Sequence, residues 1–249
     1  MSRKFFHPGV VVRTALLMSA GLCAARADTV QTSLYSPVTL SGSTIVPISL
    51  QGLTPVDNTT VTAPGLYTIT FSVAPNQGVV QGASGGNYAI PVAGASGGQP
   101  EYLTGDYGSA LTLNSADSGN YLSTGAGTIT ITFDSPQNSI ALLWGSVDTT
   151  NSLTLNDGSG TITGTTLQGL TPGFTSNGAQ GPGGSIYVVI GSTLGFTTAT
   201  FSSPTPSFEF GGIVGSDKPF EIVPEPSSVL LIGSGLGLVI VAVRRRRIA

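Results

Sequence analysis

The side chains that could do chemistry in this 249-residue chain are mostly carboxylates. Cys23 is the only cysteine and His7 the only histidine, so residues 28–223 contain neither. Ser-His-Asp and Cys-His nucleophilic sites need an imidazole base, and common zinc sites need His or Cys ligands. The catalytic arrangement that remains is a pair of carboxylates, as in glycoside hydrolysis. A sequence cannot show such a pair in space. Because the other catalytic arrangements are excluded, we expect no enzyme here, and a carboxylate-based glycan hydrolase or lyase is the alternative.

Aromatic side chains offer a second chemistry, because their faces can stack on the apolar faces of sugar rings. Three tyrosines lie in polar, glycine-rich surroundings, and two aspartates near aromatic residues could accept hydrogen bonds from sugar hydroxyls or equally form turns. These candidates for exposed glycan contact are Tyr102, Asp106, Tyr107, Tyr121 and Asp148. Trp144 instead follows an uninterrupted apolar stretch, so we expect it in the core.

Charge limits the partners of the region between the two ends of the chain. Residues 28–223 contain 11 Asp or Glu residues and a single basic residue, Lys218, which gives a net charge of −10. Nucleic acid and anionic lipid need a basic patch, so the sequence argues against both and favours cations or neutral glycans. Acidic turns at 117–119 and 157–160 could hold Ca²⁺, although neither has EF-hand spacing and Asp-Gly turns are common without metal. We therefore expect no cofactor, with calcium as the open alternative.

The first 27 residues have the organisation of a secretory signal peptide. Arg3, Lys4 and Arg13 supply positive charge, and residues 15–23 supply a short apolar core. The sequence Ala25-Arg26-Ala27 has the small residues that signal peptidase reads, which predicts cleavage before Asp28. We therefore expect export across the inner membrane.

The last residues have three parts: Val-Pro-Glu-Pro-Ser-Ser at 223–228, an apolar run at 229–243, and arginines at 244–247. A helix over 228–243 is a short transmembrane span, because a hydrocarbon core of ~30 Å needs about 20 residues. Arginines next to a span belong in the cytoplasm, so the rest of the chain faces outward.

This order of parts resembles the PEP-CTERM sorting signal of Gram-negative bacteria. The residues that carry the resemblance are Val223, Pro224, Glu225, Pro226, Arg244, Arg245, Arg246 and Arg247. The resemblance implies that an exosortase cuts the chain near the Pro-Glu-Pro motif after transient anchoring by the helix, and that the product reaches the cell surface or extracellular polysaccharide. A permanent C-terminal anchor is the alternative reading.

About half of residues 28–223 also resembles one family of exosortase-dependent surface proteins. The resemblance lies in residues 105–108, 128–155 and 187–189 and in Phe208-Glu209-Phe210. It implies a β fold at the cell surface and no particular activity. The chain departs from this family at Gly211-Gly212, where the family often has Asp-Asn, which leaves any polar or metal role of that corner in doubt.

Hydrophobic alternation predicts an all-β domain at 28–222, an antiparallel β-sandwich of jelly-roll type with edge strands and loops at 28–64. We predict strands at 67–73, 128–133, 139–145, 185–190, 197–201 and 207–210, and a hairpin of 152–155 with 161–163. Turn-forming residues at 134–138 predict a hairpin that joins the second and third of these strands. No segment has a sustained helical period. We expect Ile129, Ile131, Phe133, Leu142 and Trp144 in the core.

Overall fold

Short β-strands make up most of the described part of the chain, which in this computed structural model is residues 29–33, 45–55, 58–91, 93–94, 100–101, 120–206 and 208–219. The strands are β1 (Thr29–Ser33), β2 (Ile45–Pro47), β3 (Val61–Ala63), β4 (Tyr67–Ser72), β5 (Gly78–Gln81), β6 (Ala93–Gly94), β7 (Pro100–Glu101), β8 (Asn120–Ser123), β9 (Gly127–Gly145), β10 (Ser152–Leu155), β11 (Thr161–Thr163), β12 (Ile186–Ser203) and β13 (Glu209–Ser216). One α-helix, α1 (Gly164–Leu170), and a 3₁₀ turn (Pro182–Gly184) complete the described elements.

Two long strands, β9 and β12, organise the sheet. They pair antiparallel along their whole length, from Ile186 opposite Trp144 to Ser203 opposite Gly127. Nine other described strands join them in one antiparallel sheet of eleven strands, and β6 and β7 form a separate pair. The predicted all-β, antiparallel class is confirmed, whereas the jelly-roll arrangement and the domain boundaries stay predictions.

Each long strand contributes to two half-sheets. The first half-sheet contains residues 127–133 of β9 and 198–203 of β12; β4 and then β3 continue it on one side, and β10 and then β11 on the other. The second contains residues 139–145 of β9 and 186–191 of β12, with β1 beside β12 and β13 beside β9. Beyond β13 lie β2 and β8, and β5 pairs with β8.

The hairpin turn predicted at 134–138 is wrong, because β9 bends there without reversing. Strand β12 continues beside β9 past the bend, after a register shift between Gly191 and Phe196, so the two strands stay paired. The Gln137 side chain is buried and its Nε2 donates to the carbonyls of Ser135 (2.8 Å) and Pro136 (3.3 Å), which pairs backbone groups at the bend. For the same reason the strands predicted at 185–190 and 197–201 are one strand.

The core lies between the inner faces of the two half-sheets. All five predicted core residues are at most 2% exposed, which confirms that prediction. The rings of Phe201 and Phe210, from the first and the second half-sheet, stack with centroids 4.0 Å apart. Trp144 stacks on Phe208 at 4.6 Å. One continuous apolar cluster therefore joins both halves.

The predicted hairpin of β10 and β11 is confirmed, and a short helix that the sequence did not predict follows it. Thr163 caps α1, because its side chain accepts a hydrogen bond from the Thr166 amide while the Thr166 side chain accepts one from the Thr163 amide. Leu167 is buried and anchors the helix to the core. Seven residues are too few for a 3.6-residue period to stand out in the sequence.

Several predicted features lie outside the described residues. They are the signal peptide with Ala25, Ala27 and Asp28, the acidic turn at 117–119, the candidates Tyr102, Asp106 and Tyr107, and the C-terminal tail with its predicted helix. Within the described ranges, no helix is long and apolar enough to cross a membrane.

Candidate functional site

Glu209 is a carboxylate on the outer side of the second half-sheet. In β13 the side chains alternate, so Phe208 and Phe210 point into the core and Glu209 points away from it. Its neighbours in register are Ser123 of β8 and Gly145 of β9. This outer side is not open to solvent, because Glu209 is 0% exposed.

Residues 82–91 contact the side chains on this outer face, and we call them the cover segment. The Ala89 amide donates to Oε1 of Glu209 at 3.2 Å. Gln77 donates from Nε2 to the Asn87 carbonyl at 3.4 Å. Pro91 lies so close to Gly145 that a Cβ there would be 2.6 Å from the Pro91 Cβ. The cover segment is therefore fixed at several points over the carboxylate.

Burial raises the pKa of Glu209 to about 7, and the negative charge of Asp148 adds to this rise. Hydrogen bonding by the Ser146 side chain and by the Ala89 amide opposes it. Oε2 of Glu209 has no hydrogen-bond partner in the described structure. Desolvation disfavours the charged form of a carboxyl group, so Glu209 is protonated below about pH 7.

Tyr121, one of the predicted glycan contacts, is buried beneath the same cover segment. It is 3% exposed, its hydroxyl donates to the Gly82 carbonyl, and its ring meets Tyr88 edge to face at 6.3 Å. Burial, followed by the charge of Glu209, raises the pKa of its hydroxyl. The expectation of an exposed ring is wrong here, because the alternation of β8 turns Tyr121 towards the cover segment while Leu122 enters the core.

Asp148 follows β9 and organises a turn. Its Oδ1 accepts hydrogen bonds from the Thr150 amide (2.7 Å), the Thr150 hydroxyl (2.6 Å) and the Asn151 amide (3.0 Å). The turn interpretation of this residue is therefore the one its contacts fit. Asp148 and Tyr121 are each linked to Glu209: the charge of Asp148 raises the pKa of Glu209, and the charge of Glu209 raises the pKa of Tyr121.

Asp157, from the second acidic turn, is likewise used within the protein. Its Oδ1 accepts from the Ser159 amide (3.0 Å) and hydroxyl (2.6 Å), and its Oδ2 accepts from the Ser192 hydroxyl (2.6 Å). No group of three or more His, Cys, Asp or Glu residues that could hold a metal ion occurs among the described residues.

The outer face of the first half-sheet has a different character, and we call it the hydroxyl face. Fourteen serine and threonine side chains lie on it, opposite the core positions of six strands: Thr62, Thr68, Thr70, Ser72, Thr128, Thr130, Thr132, Ser152, Thr154, Thr161, Thr163, Thr198, Thr200 and Ser202. All are exposed or half-buried, whereas their neighbours along the strands, such as Ile69, Ile129 and Ile131, are buried. The strand segments that form this face contain no charged residue.

The hydroxyls of this face are in register across the strands. Thr70 is opposite Thr130, which is opposite Thr200, and Thr200 is opposite Thr154. Some hydroxyls bond to each other, as Thr154 and Thr161 do at 2.8 Å. The hydroxyls of Thr70, Thr130 and Thr200 have no hydrogen-bond partner within the part of the chain that the structure describes, so they are available to a ligand.

Sequence reasoning missed both Glu209 as a site residue and the hydroxyl face. Threonines at 128, 130 and 132 and at 68 and 70 alternate with apolar residues, so the signal for the face was present. Its two-dimensional order depends on the register between strands distant in sequence, which alternation within one strand does not determine.

Comparison with known proteins identifies the C-terminal tail. The family model for the PEP-CTERM protein-sorting motif matches residues 223–247. No curated protein and no solved structure matches the chain at a significant level. The resemblance to a PEP-CTERM protein is confirmed, and the motif marks the chain as an exported, exosortase-targeted protein sorted to the cell surface.

Proposed function

We propose that this protein is a non-catalytic component of the cell surface or extracellular matrix that binds neutral exopolysaccharide through its hydroxyl face. In this proposal signal peptidase cuts before Asp28, a helix at 228–243 anchors the chain transiently, and an exosortase removes the tail near Pro224–Pro226. The observation that carries the proposal is an exposed, uncharged array of hydroxyl groups on a protein whose C-terminal motif directs it to the surface.

The chemistry of the face suits neutral sugars. Threonine and serine hydroxyls both donate and accept hydrogen bonds, as sugar hydroxyls do. A polyanionic glycan would be repelled by the net charge of −10 on residues 28–223, and the face offers no lysine or arginine to offset that repulsion. Neutral chains avoid this cost.

A carboxylate-based glycan hydrolase or lyase is the second candidate, and one observation favours it. Glu209 has the raised pKa that a general acid in glycoside hydrolysis needs. Against it, the carboxyl is completely buried under the cover segment, so a substrate could reach it only after that segment moved.

A paired measurement tests the proposal and separates it from the alternative. The protein released from its host would be applied to an array of neutral and anionic glycans, and incubated with the same glycans while released reducing sugar is measured. We expect retention on neutral glycans and no release of sugar. Release of reducing ends would support the hydrolase, and absence of any glycan binding would contradict the proposed function.

The processing steps have a test of their own. Intact-mass analysis of the surface-released protein should give a species that begins at Asp28 and ends near residues 224–226. A released species that retains Arg244–Arg247 would contradict exosortase processing, and one that retains Met1 would contradict the signal peptide.

A further inference from the structure

The hydroxyl face has a two-dimensional order that points to a particular kind of glycan. We infer that it binds several adjacent chains of a packed, neutral polysaccharide at once, and that it has little affinity for a single dissolved chain. This inference rests on the proposed function and specifies the physical state of the ligand.

Three rows of hydroxyls run across the strands. The central row is Thr70, Thr130, Thr200, Thr154 and Thr161; one flanking row is Thr62, Thr68, Thr132 and Thr198, and the other is Ser72, Thr128, Ser202, Ser152 and Thr163. Neighbours within a row are about 4.8 Å apart, the spacing of strands, and adjacent rows are about 6.7 Å apart, the rise of two residues. The face therefore presents parallel lines of hydroxyls at intervals comparable to the width of a sugar chain.

The face lacks the features that hold a single chain. Its strand segments carry neither a charge nor an outward-pointing aromatic ring: the aromatic residues within them, Tyr67, Phe71, Phe133 and Phe201, pack against the core on the opposite side. A hydrogen bond between neutral groups contributes about 0.5–1.5 kcal/mol in net terms, so one row along one mobile chain gives weak binding. Packed chains bring several rows into contact without the cost of ordering each chain, and their contributions combine as in multivalent binding.

The curvature of the hydroxyl face favours a bundle of polysaccharide chains as the ligand over a rigid planar lattice such as ice. Adjacent strands in a sheet are rotated by about 20–25° relative to one another, so a face of six strands cannot be planar. A rigid plane would meet only a few of the strands, whereas a bundle of polysaccharide chains can follow the twist. The central row, where the free hydroxyls of Thr70, Thr130 and Thr200 lie, should dominate the contact.

The test compares packed and dissolved forms of the same polymer. The full exported protein would be sedimented with swollen, non-crystalline cellulose, swollen, non-crystalline chitin and the insoluble exopolysaccharide of its host, and its affinity for soluble oligosaccharides from each polymer would be measured by calorimetry. We expect retention on at least one insoluble glycan and an affinity at least tenfold weaker for the matching soluble chain. Equal affinity for the soluble chain would overturn the inference while leaving the proposed function intact. Binding of neither form would overturn the inference, and the glycan array then decides the proposed function separately.

Variants locate the binding to the face. Replacement of Thr70, Thr130 and Thr200 by valine removes three hydroxyls and preserves β-branched shape, and should lower retention on the insoluble glycan by tenfold or more. Replacement of the same residues by serine keeps the hydroxyls and should preserve retention. Thr29→Val with Thr175→Val changes exposed threonines outside the face and should leave retention unchanged. Undiminished retention by the folded triple valine variant, checked by thermal unfolding, would assign the binding to another surface and overturn the inference.

Discussion

The outer side of strand β9 changes character halfway along its length. In the first half-sheet its outward residues are Thr128, Thr130 and Thr132, which face solvent. In the second they are Ala141, Leu143 and Gly145, which are buried. The inward residues are apolar in both half-sheets, so one core supports two different outer surfaces. The outer surface of the first half-sheet is solvent-exposed and lined by hydroxyls, and that of the second is buried and contains the Glu209 carboxyl group. The alternation of apolar and polar residues along a strand thus identifies the face that packs in the core. The environment of the other face depends on which segments pack against it.

The largest effect should come from the core that the two surfaces share. Trp144→Ala removes a fully buried ring that stacks on Phe208 and should lower the free energy of unfolding by about 3–5 kcal/mol. Denaturant unfolding followed by circular dichroism measures this. Both half-sheets should unfold in one transition. Two separate transitions would show that the half-sheets are two independent domains.

The next effect concerns pH and belongs to the covered side alone. Glu209 has a pKa of about 7 in the folded protein against 4.5 for the free group, so between these values the unfolded chain releases a proton that the folded chain retains. Its contribution to the free energy of unfolding should therefore fall by about 3 kcal/mol as pH rises from 4.5 to 7, and stay constant above.

The control is Glu209→Gln, because a glutamine side chain does not titrate and therefore releases no proton on unfolding. Urea unfolding of the wild type and of this variant, measured across pH 4.5–8, should give stabilities that are closest at pH 4.5, where both side chains are uncharged, and the wild type should lose stability relative to the variant as pH rises to about 7. If the free energies of unfolding of the two proteins changed with pH in parallel, Glu209 would be ionised in the folded protein. The covered side would then be more accessible to water than the structure implies.

A smaller effect should follow from disturbing the contact between Gly145 and the cover segment. In Gly145→Ala the new Cβ would lie 2.6 Å from the Pro91 Cβ, so the segment must shift, at a cost of about 1–3 kcal/mol. Hydrogen exchange of the Ala89 amide should accelerate, because this amide bonds to Glu209. The matched control is Gly169→Ala in α1, where a Cβ meets nothing within 4 Å. Unchanged exchange at Ala89 in the Gly145 variant would show that the segment is not held by this contact.

The smallest effect compares reciprocal substitutions on the two outer sides of β12. Thr200→Val on the hydroxyl face should change the free energy of unfolding by less than about 0.5 kcal/mol, as is usual for surface positions. Val189→Thr on the buried side should cost about 1–3 kcal/mol, because it buries a hydroxyl. Thermal unfolding of both variants measures the difference. Equal costs would contradict the contrast between the two outer sides.

Sequence reasoning predicted the core well because a strand that buries one side must place apolar residues at every second position, as Ile129, Ile131 and Phe133 do. It failed at 134–138, where Asp134, Pro136 and Asn138 fit a turn but the neighbouring strand β12 keeps the chain extended. The six residues Leu-Gln-Gly-Leu-Thr-Pro, which occur twice in the sequence, make the same point, since they form a turn at 50–55 and end helix α1 at 167–172. Among the functional residues, those of the sorting tail could be identified from the sequence because the parts of the tail are contiguous. Glu209 could not, because its raised pKa depends on residues far away in the sequence.

The position of β1 and β13 determines how the protein carries mechanical load. A pull applied between residues 29 and 219 would pass from β1 through β12 and β9 to β13, which are adjacent in the second half-sheet. The hydroxyl half lies to the side of that line of force. We therefore expect tension between these two positions to load the second half-sheet before it reaches the hydroxyl rows.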